Sequence, residues 1–207
     1  MDGVGVMDEA AEFRAPDFTA DLDVEGAIAR CLPEATAKGM FLSACVELGR
    51  RAAPTRAEEI FTGVSARRWA PFLDYSLRDE MRLLVNSTRL RWPSEPVRER
   101  LRRMGWTAYP TFSESMAGRV ILGMVSKDIA SKFGLISKAF ALSVSHLRIS
   151  PRRIDDRHWQ MDYEQTYCFL DSYHVGIIEG FVRAHGLVPD VKVRMKTEDS
   201  GTFDVRW

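Results

Sequence analysis

The sequence contains few of the features that identify enzymes, secreted proteins or membrane proteins. Its three cysteines among 207 residues are an odd number without paired spacing, which indicates buried thiols and not a disulfide framework. No run approaches the roughly 18 consecutive apolar residues of a membrane-spanning helix. The first residues lack the basic and apolar segments of a secretory signal. We therefore expect a cytoplasmic protein with no membrane span.

Neither sign of charge is in excess, since 29 Lys and Arg residues balance 29 Asp and Glu residues. A large surface for nucleic acid or anionic lipid requires a basic excess, so we expect no nucleic-acid partner. Six arginines lie between residues 89 and 103, which would suit an anion site. Glu95 and Glu99 lie among them, however, and we favour a solvated helix face.

Motifs for catalysis and for metal binding are also missing. The sequence has no glycine-rich phosphate loop, and no serine lies in a nucleophile elbow. Cys168 and His174 lie six residues apart, and we interpret them as a buried thiol and an ordinary helix-terminal histidine. The four histidines show no zinc-like spacing: His146, His158, His174 and His185. We assign no catalytic residue, no metal and no cofactor.

Hydrophobic periodicity predicts an α+β fold. Up to about residue 145 the period is helical, as where Leu77, Met81 and Leu84 share one helix face. From about residue 146 the period is two, which predicts a β-β-α-β-β end that forms an antiparallel sheet with one buried helix. Residues 1–16 are predicted to be a flexible tail and residues 17–207 a single domain. Asp21 or Thr19 is expected to cap the first helix, and Asp171 or Ser172 the late one.

The late helix carries the most distinctive local pattern. Gly176 and Gly180 place small residues on one face, which allows another backbone to approach closely. That face suits tight packing, a subunit contact or a narrow ligand channel. Tyr173 and His174 lie in the first turn, where a helix N-terminus favours the polar end of a ligand.

Three ordered motifs resemble a paralogous domain family of unknown function found in myxobacteria. Residues 107–115, TAYPTFSES, followed by Gly118 and Arg119, resemble the central signature of that family. Residues 169–173, FLDSY, with the glycine-containing helix, and residues 203–207, FDVRW, resemble its later motifs. The likeness covers about residues 18–207.

In layout this family is similar to the superfamily of TRAPP vesicle-tethering subunits, 4-vinyl-reductase-type sensor domains and heme nitric-oxide-binding domains. The resemblance implies a TRAPP-like fold and a ligand-binding or assembly module, often dimeric, that is not a catalyst. The heme branch has a Tyr-x-Ser-x-Arg signature and a proximal histidine. Here residues 75–78, YSLR, have different spacing, and no histidine precedes His146.

Two functions follow as hypotheses. The first is a non-enzymatic signalling or regulatory module that acts as a homodimer or binds a partner protein, with Gly176 and Gly180 at the interface. The alternative is a sensor for an apolar small molecule held between the helices. Heme binding is a third and weaker hypothesis. The residues expected to line the sensor pocket are Tyr109, Phe112, Phe140, Tyr173 and His174.

Overall fold

The N-terminal part of the chain is helical, as predicted. The structure, a computed structural model, describes residues 12–116, 118–119 and 128–207. Two short strands, β1 (Thr36–Lys38) and β2 (Asp74–Ser76), pair antiparallel beside the helices. The helices are α1 (Val24–Arg30), α2 (Gly39–Ala52), a 3₁₀ helix (Pro54–Phe61), α3 (Leu77–Arg91), α4 (Val97–Gly105), α5 (Ala108–Glu114), α6 (Ile129–Phe133) and α7 (Ile136–Ala141).

Particular residue types mark the ends of these helices, and one predicted cap was wrong. Pro96 immediately precedes α4, where its missing N–H is not needed, and Gly105 is the last residue of that helix. The predicted cap of α1 was wrong. Asp23 caps α1, and its carboxylate accepts a hydrogen bond from the Gly26 amide at 2.9 Å. Asp23 has the same chemistry as Asp21 but stands directly before the first helical residue.

The second half forms the predicted antiparallel sheet. Its four strands are β3 (Arg148–Arg153), β4 (His158–Glu164), β5 (Asp190–Met195) and β6 (Gly201–Arg206), in the spatial order β3-β4-β6-β5. The late helix α8 (Val175–Arg183) packs on one face, where alternate apolar side chains from each strand meet it. Gly186 ends this region with a φ of 75°, which glycine adopts without strain. The α+β class and the β-β-α-β-β end are therefore confirmed.

The start of the late helix differs from the prediction. Neither Asp171 nor Ser172 caps it. Phe169 instead adopts a left-handed conformation with φ of 53°, and a π-helical turn (Leu170–His174) leads into α8. The Ser172 and Tyr173 amides donate to the Phe169 carbonyl, so the backbone of Phe169 satisfies the donors that a side-chain cap would have satisfied.

Residues 1–11 of the predicted tail, and the predicted helix positions Val120 and Met124, lie outside the described residues. Arg14, which is within the described part of the tail, exchanges two backbone hydrogen bonds with Val193 at 2.8 and 3.1 Å. The chain is therefore joined to the edge strand β5 at this position. No helix in the described ranges is long and apolar enough to cross a bilayer.

Candidate functional site

A cavity of about 100 Å³ lies between the helical part and the sheet part of the molecule. The helical part has one hydrophobic core and the sheet with α8 has a second, and the Phe140 side chain packs against both. The cavity is at their junction, and its lining is almost entirely apolar. Residues from α2, α3, α5, α6, α7, α8 and the segment before the π-helical turn contribute to its wall.

All five residues expected to line a sensor pocket line this cavity: Tyr109, Phe112, Phe140, Tyr173 and His174. Aromatic contacts fix several of them. The Tyr109 ring meets Phe181 edge-on at 4.9 Å between centroids, and the Phe140 ring stacks on His174 at 5.5 Å. The structure thus brings together predicted residues from α5, α7 and the π-helical turn. That they bind a ligand stays a prediction.

His174 is the most confined polar residue among these five. Its side chain is 4% exposed and lies between the rings of Phe140, Tyr163 and Tyr173. Burial lowers the pKa of the imidazole to about 3, because a charged ring would lose its hydration here. The histidine is therefore neutral at neutral pH. Its Nδ1 atom is buried and has no hydrogen-bond partner among the described residues.

Glu80 of α3 lines the same cavity and was not predicted from the sequence. Its side chain is 3% exposed, and its Oε2 atom has no hydrogen-bond partner within the part of the chain that the structure describes. Burial raises the pKa of the carboxyl to about 8. One signal was available, since Glu80 follows Leu77 by three residues and precedes Leu84 by four. That spacing puts a carboxyl beside an apolar helix face.

Thr166 supplies a third polar atom of this kind. Its side chain is 2% exposed, and its Oγ1 atom is buried without a partner in the described ranges. The Thr166 amide donates to the Asp199 carbonyl at 2.7 Å, which fixes the backbone beside the cavity. Buried polar groups in folded proteins nearly always have a partner. Three residues that line this cavity have a buried polar atom without a hydrogen-bond partner in the described ranges: Glu80, Thr166 and His174.

A charged side chain, Lys132, also belongs to the cavity lining. Lys132 Nζ is 3.0 Å from Nε2 of His185. An ammonium can only donate, so Nε2 accepts and the proton of the ring lies on Nδ1, which donates to the Phe181 carbonyl at 2.8 Å. Lys132 is therefore held toward His185 at one side of the cavity.

Helix α4 holds the late helix in place. Glu179 is buried and accepts hydrogen bonds from Arg102 at 2.7 and 2.8 Å and from the Trp106 indole at 2.8 Å. Arg98 pairs with Asp171 in the π-helical turn. Arginines of the dense segment between residues 89 and 103 thus make intramolecular ion pairs that position the turn containing His174.

The two glycines of α8 face α4 of the same chain. A Cβ atom on Gly176 would overlap the Arg102 carbonyl oxygen, and one on Gly180 would lie 2.6 Å from the Trp106 Cα. The close approach of two backbones explains why glycine occupies both positions. The subunit interface proposed for these glycines stays a prediction. In the structure, α4 of the same chain packs against their face of the helix.

The cysteines are free and buried, as expected, at positions 31, 45 and 168. Cys168 lines the cavity near Glu80, and burial raises the pKa of its thiol. Such a thiol is not a reactive nucleophile. Across the described residues, no group of three or more His, Cys, Asp or Glu side chains is arranged to hold a metal ion.

The comparison with known proteins gives a family and a fold. Residues 30–207 match DUF2378, described as a protein of unknown function, and the chain belongs to that family. No curated protein matches it.

Several solved structures of H-NOX proteins share the fold. The Fe(II) unliganded H-NOX protein from K. algicida has a TM-score of 0.65 at 11% identity, with 82% of this chain and 95% of that chain covered. An H-NOX protein from S. oneidensis in the Fe(II)NO ligation state has a TM-score of 0.63 at 12% identity, covering 82% and 98%. At these identities the likeness establishes the fold only.

A heme does not fit the residues of this cavity. The H-NOX fold implies one, and His174 offers a neutral imidazole with a free nitrogen. The space of about 100 Å³, however, is smaller than the roughly 150 Å³ cavity that accommodates benzene, and a porphyrin is several times larger than benzene. Among the described lining residues, Lys132 is the one cation for two propionates, and it already contacts His185.

Proposed function

We propose that the protein is a non-enzymatic sensor module that binds a small, largely apolar molecule in the cavity between its helical and sheet parts. One observation carries this proposal. Three residues of the apolar lining, Glu80, Thr166 and His174, each carry a buried polar atom without a hydrogen-bond partner in the described part of the chain. Each of these atoms has lost its hydration without compensation, and a bound molecule would supply the missing hydrogen bonds.

The size and position of the cavity agree with this role. A space of about 100 Å³ suits a compact molecule of a few non-hydrogen atoms. Its wall includes the π-helical turn and residues of both hydrophobic cores, so a ligand there would contact the helical part and the sheet part together. Such a position lets occupancy change how the two parts pack, which is the requirement for a sensor. The shared fold of the H-NOX proteins supports a ligand-binding domain.

Homodimerisation or partner binding through the late helix, our first hypothesis from the sequence, is not part of this proposal. Gly176 and Gly180 would have to be available to a second chain, and α4 covers both. The close approach of α4 to α8 within one chain is enough to explain why both positions are glycine.

Native mass spectrometry of protein purified from its own host tests the proposal. We expect a bound species of low mass that is released on activation in the gas phase. The matched control is Ala139→Phe, which replaces a small lining residue with a ring that fills the space. This variant should fold with the same circular dichroism spectrum and purify without the bound mass. Wild-type protein that is empty, and that gains no thermal stability with any compact apolar compound, would contradict the proposal.

A further inference from the structure

Glu80 is an unusual residue to find in the wall of an apolar cavity. A carboxyl that is 3% exposed is normally paired with a cation or bound by several donors. Here Oε2 has neither among the described residues. The titratable groups that interact with it electrostatically include the thiols of Cys45 and Cys168 and the phenol of Tyr173. Burial raises the pKa of each of these three groups, so they are neutral at neutral pH and give the carboxyl no counter-charge.

A neutral carboxylic acid has one strong donor, and Oε2 of Glu80 has no hydrogen-bond acceptor among the described residues. An ammonium ligand is disfavoured, because it would share the cavity with the Lys132 ammonium. A carboxylate ligand is disfavoured as well, because its charge would lose its hydration in an almost entirely apolar lining, and the Lys132 ammonium that could offset this cost is held toward His185. An uncharged oxygen acceptor on a mainly hydrocarbon molecule avoids both costs.

We propose that the cavity selects an uncharged, compact, mostly hydrocarbon molecule that carries a carbonyl or ether oxygen, and that Glu80 donates the hydrogen bond which distinguishes this molecule from a plain hydrocarbon. This inference rests on the proposed function and names its ligand class. His174 and Thr166 offer further hydrogen-bonding atoms on the same wall. Glu80 is thereby a specificity-determining residue.

Three probes of nearly equal shape test the inference: cyclobutanone, methylenecyclobutane and cyclobutylamine. Each has five non-hydrogen atoms, one fewer than benzene, and the amine is a cation at neutral pH. Titrations followed by methyl NMR give the dissociation constant of each probe. We expect wild-type protein to bind cyclobutanone about tenfold more tightly than methylenecyclobutane, since the ketone completes a buried hydrogen bond. Cyclobutylamine should bind more weakly than both.

Two substitutions distinguish the hydrogen-bond donor of the Glu80 side chain from its charge. Glu80→Gln keeps a donor and should keep a preference for the ketone. Glu80→Leu removes the donor and should bind the ketone and the hydrocarbon equally, while still binding the hydrocarbon. Equal affinities in the wild type, a ketone preference that survives Glu80→Leu, or an ammonium preference that Glu80→Gln abolishes would each overturn the inference.

A measurement on the wild type avoids dependence on how the variants fold. Infrared difference spectra of protein with isotope-labelled glutamate carboxyls should show the C=O band of a protonated acid shifting when cyclobutanone is added. An unshifted band, or failure of all three probes to bind, would overturn the inference. The proposed function is judged separately, by the mass that copurifies with the protein, so the two can fail independently.

Discussion

Replacing Glu80 with glutamine removes a titratable group whose pKa differs strongly between the folded and unfolded states. The ordinary pKa of glutamate is 4.5, and burial raises that of Glu80 to about 8. Between these values the folded protein holds a proton that the unfolded chain releases. Stability therefore falls as pH rises through this interval. At about 1.4 kcal/mol for each pH unit, the loss amounts to about 5 kcal/mol, a large part of the 5–15 kcal/mol typical of a domain.

His174 acts in the opposite direction at lower pH. Its ordinary pKa is 6.5 and burial lowers it to about 3, so the unfolded chain binds a proton that the folded protein excludes. Stability falls as pH drops from 6.5 toward 3, again by about 5 kcal/mol. Between pH 4.5 and 6.5 the two effects oppose each other. We therefore predict that these two residues together produce a stability plateau in that interval, with losses on both sides.

Urea unfolding at a series of pH values, followed by circular dichroism, measures these effects. Relative to wild type, Glu80→Gln should gain about 5 kcal/mol between pH 4.5 and 8, whatever its offset at low pH. His174→Phe should remove the loss below pH 4.5, and the loss caused by Glu80 should then extend through the former plateau, from pH 4.5 to 8. Glu164→Gln, at an exposed position on β4, is the matched control and should run parallel to wild type. A Glu80→Gln profile that also runs parallel to wild type would refute the reasoning.

Three further predictions concern the helix contact and the heme. Gly176→Ala should cost about 1–3 kcal/mol in urea unfolding because its Cβ overlaps the Arg102 carbonyl, while Gly134→Ala, whose nearest neighbour is at 3.5 Å, should be near neutral; equal effects would contradict the contact. Glu179→Leu should cost about 3 kcal/mol, because two Arg102 N–H groups and the Trp106 indole lose their acceptor and Arg102 keeps only its pair with Glu99; an effect as small as that of Glu164→Gln would contradict it. Hemin added to the protein should give no Soret band beyond that of free hemin. A stoichiometric band that His174→Phe abolishes would show that the cavity opens to admit it.

Features that depend on local pattern could be predicted from the sequence. Pro96 and Gly105 mark the ends of α4, and alternating side chains along β4 and β6 identify one face of the sheet. The cap of α1 was missed by two residues, because aspartates at positions 21 and 23 are equally suited until the backbone is known. The entry into α8 was missed for a different reason. Phe169 has a positive φ, which a bulky residue disfavours, so its residue type gives no indication of this conformation.

The cavity lining was predicted in part from the sequence. Five aromatic and histidine side chains could be assigned to it, because a family resemblance and a buried helix placed them near one another. Glu80 was not assigned, although its spacing from Leu77 and Leu84 put it beside an apolar helix face, because an acidic residue in a helix is ordinarily solvated. The other lining residues come from segments as distant as Phe41 and Cys168. The aromatic residues define a space that many apolar molecules would enter, whereas the carboxyl decides among them. Glu80, which was not assigned from the sequence, is therefore the residue on which the proposed chemistry of the ligand depends.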